Sequence, residues 1–156
     1  MGTSMALTLG TLGSTSLPLE CLALPKCPHR PGTGTTPEAA VLGKAKAASP
    51  DVIRAEDWPD NIPYRYGWSL FEAGFYWEAH EVWESVWRAS RPNSVERLFL
   101  KMAIQMSNAC LKRAMGKDKA TRRLTLEISR LLEELKAVLG GGERSYMGVD
   151  LKFFEQ

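Results

Sequence analysis

Apolar residues recur at helical spacing through the second half of the chain and lose that rhythm in the first. From Tyr64 onward they return every three or four positions, with breaks at Gly74, at Arg91-Pro92-Asn93-Ser94, at Gly116-Lys117-Asp118 and at Gly140-Gly141-Gly142. The pattern predicts four helices, over about residues 64–73, 76–90, 94–115 and 118–139. Asn93 or Ser94 and Asp118 are the expected N-caps, and the glycines the expected stops.

Each predicted helix shows which face it buries. At about 100° per residue, Ala79, Val82, Trp83, Val86 and Trp87 fall on one side of the second helix, Glu81, Glu84 and Arg88 on the other, and His80 on the seam. The third helix is apolar around most of its circumference, through Phe99, Leu100, Met102, Ala103, Ile104, Met106, Cys110, Leu111 and Ala114, which marks it as the central element. Its exceptions, Lys101, Gln105, Asn108 and Lys112, stack in one narrow polar stripe. The fourth helix turns Ala120, Leu124, Ile128, Leu131, Leu132, Leu135, Val138 and Leu139 inward and Arg122, Arg123, Glu127, Glu133 and Glu134 outward.

The expected fold is therefore all-α, a compact four-helix bundle made of two helical hairpins. Helix, glycine, helix occurs around Gly74 and again around Gly116, a weakly tetratricopeptide-like arrangement with a longer period and an incomplete signature. Eight of the nine prolines lie at or before Pro63, and residues 1–36 are rich in Gly, Ser, Thr, Pro and Leu without a period, so this part cannot build a core alone. The reading is a disordered tail over residues 1–21, a Pro-rich arm over 22–63 that packs on the bundle through Trp58 and Pro63, and a helical domain over 64–156. Within the arm, Pro37 opens a short helix running toward Ala48.

Composition narrows the setting. A chain of 156 residues with 44% apolar content suits one globular domain, and a formal charge of +2 is too balanced to argue for nucleic acid or an anionic membrane. Cys21, Cys27 and Cys110 are odd in number and lack C-x-x-C spacing, which predicts free thiols in a reducing compartment. No apolar run approaches the roughly 18 residues of a membrane span, and the first basic residue is Lys26, so neither a span nor a secretory n-region is expected. Cytoplasm is the expected location.

Candidate chemistry concentrates on the second helix. Glu78, His80, Glu81 and Glu84 are residue types that ligate metals or exchange protons, and His80 and Glu84 stand one turn apart. A ferritin-like centre needs Glu-x-x-His on two helices, whereas Trp77 occupies the position three residues before His80 and the helical part holds no second His. His29 can join a site only where the arm folds back. The plainer reading makes His80 a structural histidine bonded to Glu84 or to an arm carbonyl. Trp68, Trp77, Trp83 and Trp87 can wall an aromatic pocket; Trp83 and Trp87 belong to the core face, which leaves Trp77 as the groove candidate. The basic group Lys112, Arg113, Lys117, Lys119, Arg122 and Arg123 reads as a solvated face, since no nucleic-acid-binding motif accompanies it. Cys27-Pro28-His29 lacks a second ligand pair and reads as arm packing.

The run Phe71-x-x-Gly74-x-x-x-Glu78-Ala79-His80-Glu81-x-Trp83-Glu84-x-x-Trp87 resembles the DUF309 family of small all-helical bacterial and archaeal proteins. The likeness continues through Glu96-Arg97-x-Phe99-Leu100-Lys101, Ile104-Gln105, Asn108 to Lys112, Gly116 and Met147-Gly148-Val149-Asp150, and upstream Leu24 to Gly32 is similar to the proline-rich arm of one branch. The resemblance implies a compact helical bundle and no reaction. Glu72 stands where the family often has Asn, and Lys112 follows one branch while others favour His nearby; a ligand role for that His in those branches would make a metal less expected here.

The expected function is a non-enzymatic binding or scaffolding module, with a groove between the second and third helices lined by Trp77, His80, Glu81, Glu84, Gln105, Asn108 and Lys112. Its expected occupant is a small polar ligand or a partner segment, with no cofactor, no metal and no nucleic acid. The alternative is an acid-base or metal-assisted hydrolase with His80 as base, Glu84 orienting it and Lys112 stabilising negative charge.

Overall fold

Ser94 starts the longest apolar helix as its sequence position requires: its side-chain oxygen accepts the Arg97 N–H at 3.2 Å, satisfying one of the donors a helix N-terminus leaves unpaired. The computed structural model describes residues 22–155; the tail expected over residues 1–21, with Cys21, lies outside them. Five α-helices follow in order: α1 (Ala39–Ala47), α2 (Ile62–Glu72), α3 (Tyr76–Ala89), α4 (Val95–Ala114) and α5 (Asp118–Val138). A two-stranded hairpin, β1 (Ser145–Tyr146) and β2 (Val149–Asp150), comes next, and 3₁₀ turns cover Ala55–Asp60 and Leu151–Phe154.

The four predicted helices are α2 to α5, with small differences at their ends. α2 begins earlier than expected because Asn61 caps it through a 3.0 Å bond from the Tyr64 N–H, and Pro63 occupies its first turn, where a missing N–H costs nothing. Asp118 is the first residue of α5 and not its cap; that position belongs to Lys117, and the Asp118 carboxylate sits in the first turn, where the helix dipole favours it. Gly74 (φ 87°) and Gly116 (φ 70°) close α2 and α4, a left-handed conformation that lets the next residue's N–H turn back, Phe75 to the Leu70 carbonyl and Lys117 to that of Lys112.

Packing runs largely in chain order, α2 on α3, α3 on α4 and α4 on α5, so the bundle is two helical hairpins set side by side with α4 inside. Phe99, Leu100, Met102 and Ala103 of α4 have no exposed surface. Truncating Phe99 to Ala would cost about 3–5 kcal/mol from lost burial and the cavity left behind. Ala114 and Val138 depart from their expected stripes: Ala114 is exposed at the end of α4, and Val138 is 56% exposed where α5 runs past the core. Trp87 is half-buried rather than central, and the Arg97 guanidinium lies 3.9 Å above its ring.

The C-terminal segment supplies core that the helical periodicity did not announce. Phe153 and Phe154 pack edge-on against Trp68 of α2, and Phe154 also reaches Phe99 of α4. The arm lies back across α2 and α3: the Tyr66 hydroxyl donates to the Ala23 carbonyl at 2.7 Å, and α1 packs its buried Leu42 and Ala45 nearby. No helix among the described residues is long and apolar enough to cross a membrane.

Candidate functional site

The polar edge of α3 is held in place by what lies behind it. Ala79, Val82, Trp83 and Val86 are fully buried and fix the rotation of the helix, so the residues between them are obliged to face outward. On that outer edge His80 Nε2 lies 3.2 Å from Glu84 Oε1, the one-turn contact that the i,i+4 spacing predicts. Arg88 continues the row by donating to Glu84 Oε2 at 3.0 Å. Neither His80 nor Glu84 is sealed, at 21% and 33% side-chain exposure, and the His80 contact is with Glu84, not with the arm.

Glu81 is brought to the same place by a different route. Its Oε2 pairs with Lys46 Nζ of α1 at 3.2 Å, a contact made by folding the arm helix against α3. Each of His80, Glu81 and Glu84 offers a ligand atom, and these atoms all lie within 4.8 Å of one another; they form the one such group of His, Cys, Asp and Glu side chains among the described residues. Lys46 was not among the residues singled out by sequence. Its signal was faint, because α1 is short and weakly amphipathic and the pairing spans 35 positions.

Glu78 belongs to another environment. It has no exposed surface, its Oε1 accepts the His29 N–H at 2.6 Å, and its Oε2 has no hydrogen-bond partner. Burial pushes its carboxyl above the usual carboxylate range, opposed by the His29 N–H. The same burial, with the nearby Glu78 and Glu38 charges, holds the Tyr66 phenol up at about 12. His29 does fold back, yet onto Trp77, with ring centroids 4.5 Å apart and edge-on, while its Nδ1 donates to the Thr35 carbonyl at 2.7 Å. The arm thus covers Glu78, and leaves Trp77, with the His29 ring against it, as well as His80, Glu81 and Glu84 half-exposed.

On α4 the predicted stripe is the least buried side of a buried helix. Lys101 is exposed and faces α5, with Glu127 Oε1 3.8 Å away, while Gln105 accepts from the Asn108 amide at 3.2 Å. The Lys112 side chain is half-buried and makes no hydrogen bond or ion pair among the described residues, so nothing joins Gln105, Asn108 or Lys112 directly to the α3 edge. Cavities open beside Trp87 and Leu98 at the α3–α4 turn, at the start of α5, and against the C-terminal segment; Lys101 lines the first, and His80, Glu81, Glu84, Gln105, Asn108 and Lys112 line none of the three. Arg113, Lys117, Lys119, Arg122 and Arg123 are exposed to solvent. Cys27 is exposed and Cys110 buried, both as free thiols.

The arrangement offers a base next to a carboxylate, two carboxylates with cations behind them, and an aromatic ring beside them. Such an edge can accept and donate hydrogen bonds to a polar partner, and it can hold a cation. No curated protein and no solved structure matches the chain. The model of a family described as a domain of unknown function, DUF309, matches residues 64–124, the stretch that runs from α2 through α3 and α4 into α5. The His80 motif lies within that match, and over these residues the chain is similar to the DUF309 family.

Proposed function

We propose that the protein is a non-enzymatic binding module whose recognition edge is the outer side of α3, with Trp77, His80, Glu81 and Glu84 meeting a small polar ligand or a partner segment and Gln105, Asn108 and Lys112 bordering it on α4. One observation carries this reading. Half-buried His80 and Glu84 and exposed Arg88 form a continuous row of hydrogen-bonding and charged groups, on a helix whose opposite side is locked into the core. A preorganised row of this kind pays little entropy to meet a polar partner. Free thiols at Cys27 and Cys110 support a reducing, cytoplasmic setting.

The test is an NMR titration of the chelator-treated full chain with succinate, arginine and inorganic phosphate as separate probes. Shifts clustered on the Trp77 indole and the Gln105 and Asn108 side-chain amides, and lost in a folded Glu84→Ala, Lys112→Ala double variant, are expected for at least one probe. Shifts unaltered by that double substitution would remove the edge from consideration.

Acid-base hydrolysis is the second reading, favoured by the 3.2 Å contact that would let Glu84 orient His80 as a base. Turnover of chromogenic esters that falls at least about a hundredfold in His80→Ala would move the balance to it.

A further inference from the structure

We infer that His80, Glu81 and Glu84 form a binding site for a transition-metal dication of the zinc class. Zinc bonds of about 2.1 Å place neighbouring ligands of a tetrahedral ion about 3.4 Å apart. His80 Nε2 and Glu84 Oε1 already stand at 3.2 Å, and a ligand atom of Glu81 lies within 4.8 Å of both, so one side-chain rotation of Glu81 completes a three-donor face.

The surroundings distinguish this trio from an ordinary acidic surface. Each carboxylate has one oxygen engaged by a cation, Glu81 Oε2 by Lys46 and Glu84 Oε2 by Arg88; this leaves Glu81 Oε1 for the ion, and Glu84 Oε1 becomes a ligand together with His80 Nε2 once the ion displaces the proton they share. Hydrogen-bonded outer oxygens are the usual way proteins orient ligating carboxylates. The imidazole sets the class of ion: magnesium and calcium take oxygen donors, whereas one imidazole with two carboxylates suits zinc and its neighbours, and the general affinity order puts zinc above manganese. Half-burial at 21%, 27% and 33% side-chain exposure leaves the site open to entry.

Lys46 and Arg88 also compete with the ion, because they already neutralise the two carboxylates. Removing one of them therefore strengthens metal binding, the opposite of removing a ligand. Three protein donors leave a fourth position open, and a carboxylate or imidazole from the occupant of the α3 edge is the donor it would take. In that last step the inference rests on the proposed binding function; the metal site itself does not.

Titrating zinc ion into the chelator-treated full chain by calorimetry tests it, with bound zinc counted by elemental analysis after dialysis. One equivalent is expected, with affinity reduced at least about tenfold in His80→Ala and in Glu84→Gln, increased in Lys46→Ala, and undisturbed by equimolar magnesium. Helical circular dichroism confirms that each variant is folded. Zinc isotherms of His80→Ala and Glu84→Gln that match the parent, equal weakening in Lys46→Ala, displacement by magnesium, or no bound zinc would each overturn the site. The probe titrations described above run with chelator present, so failure of the metal site leaves their outcome intact, and failure of the probes leaves the zinc result standing.

Discussion

The Trp83 indole N–H donates to the Tyr64 carbonyl at 3.1 Å, and it does so across the bare backbone of Gly67. A Cβ built at Gly67 would sit 2.0 Å from Trp83 Nε1, so α2 and α3 approach as closely as they do only because that side chain is absent. The ring concerned is fully buried and packs against Trp68, with centroids 4.6 Å apart.

Gly67→Ala is accordingly expected to lower stability by about 1–3 kcal/mol from overpacking, with a further loss if the indole abandons the Tyr64 carbonyl. Urea denaturation followed by tryptophan fluorescence measures it. An unchanged midpoint would mean that α2 and α3 can separate without cost, contrary to the packing described.

Glu78 gives the protein a pH dependence of defined sign. Burial raises its carboxyl above the ordinary value, the nearby Glu38 charge acts in the same direction, and the His29 backbone N–H opposes them. A carboxyl raised by folding binds its proton more tightly in the folded state, so its contribution is complete below the unfolded value and is lost as pH rises through the folded one. Glu78→Gln removes that loss. Its stability relative to the parent is expected to rise between pH 4 and pH 7, by urea denaturation at both ends; a relative stability that falls over that range would contradict the assignment.

Much of this was legible because it is local. The Ser94 cap, the stops at Gly74 and Gly116, and the burial of α4 each follow from residues within a turn or two of one another, and the His80–Glu84 contact follows from helical spacing alone. What the pattern could not disclose depends on distant pairings. Glu78 looked equivalent to Glu81 and Glu84 until the arm delivered the His29 N–H from 49 positions away, and Glu81 found Lys46 only because α1 folds onto α3. The C-terminal hairpin escaped for another reason. Strands of two residues and a 3₁₀ turn of four are too short to display a period, so Phe153 and Phe154, which lie in that turn, carried no periodic sign that they pack on the core.

The arm's hold on α3 can be tested at His29, which presents its ring to Trp77 and whose Nδ1 ties down Thr35. An aromatic contact of this kind contributes about 1 kcal/mol. His29→Ala is expected to raise amide exchange over residues 23–35 by about fivefold, with exchange in α4 unaltered, because local opening reads out local contacts. Hydrogen exchange with mass spectrometry resolves the two regions. Equal acceleration in both would show that the arm unfolds only with the bundle.

The last relationship ties the C-terminus to α2. The Tyr64 hydroxyl donates to the Met147 carbonyl at 2.7 Å, inside a turn where Met147 (φ 46°) and Gly148 (φ 79°) both adopt the left-handed conformation that a two-residue hairpin requires. Trp58 closes over Gly148 so tightly that a Cβ there would lie 2.5 Å from its ring. Tyr64→Phe leaves a buried carbonyl without its donor, at about 1–3 kcal/mol. Gly148→Ala adds backbone strain of about 1–2 kcal/mol to the clash with Trp58 and is expected to cost more. Once either change has loosened the hairpin, the other has less left to break, so the double variant should lose less than the sum of the two. Urea denaturation of all four proteins gives the coupling directly. Strict additivity would mean that the Tyr64 hydroxyl and the Gly148 turn act on separate parts of the structure, and that Met147 does not join them.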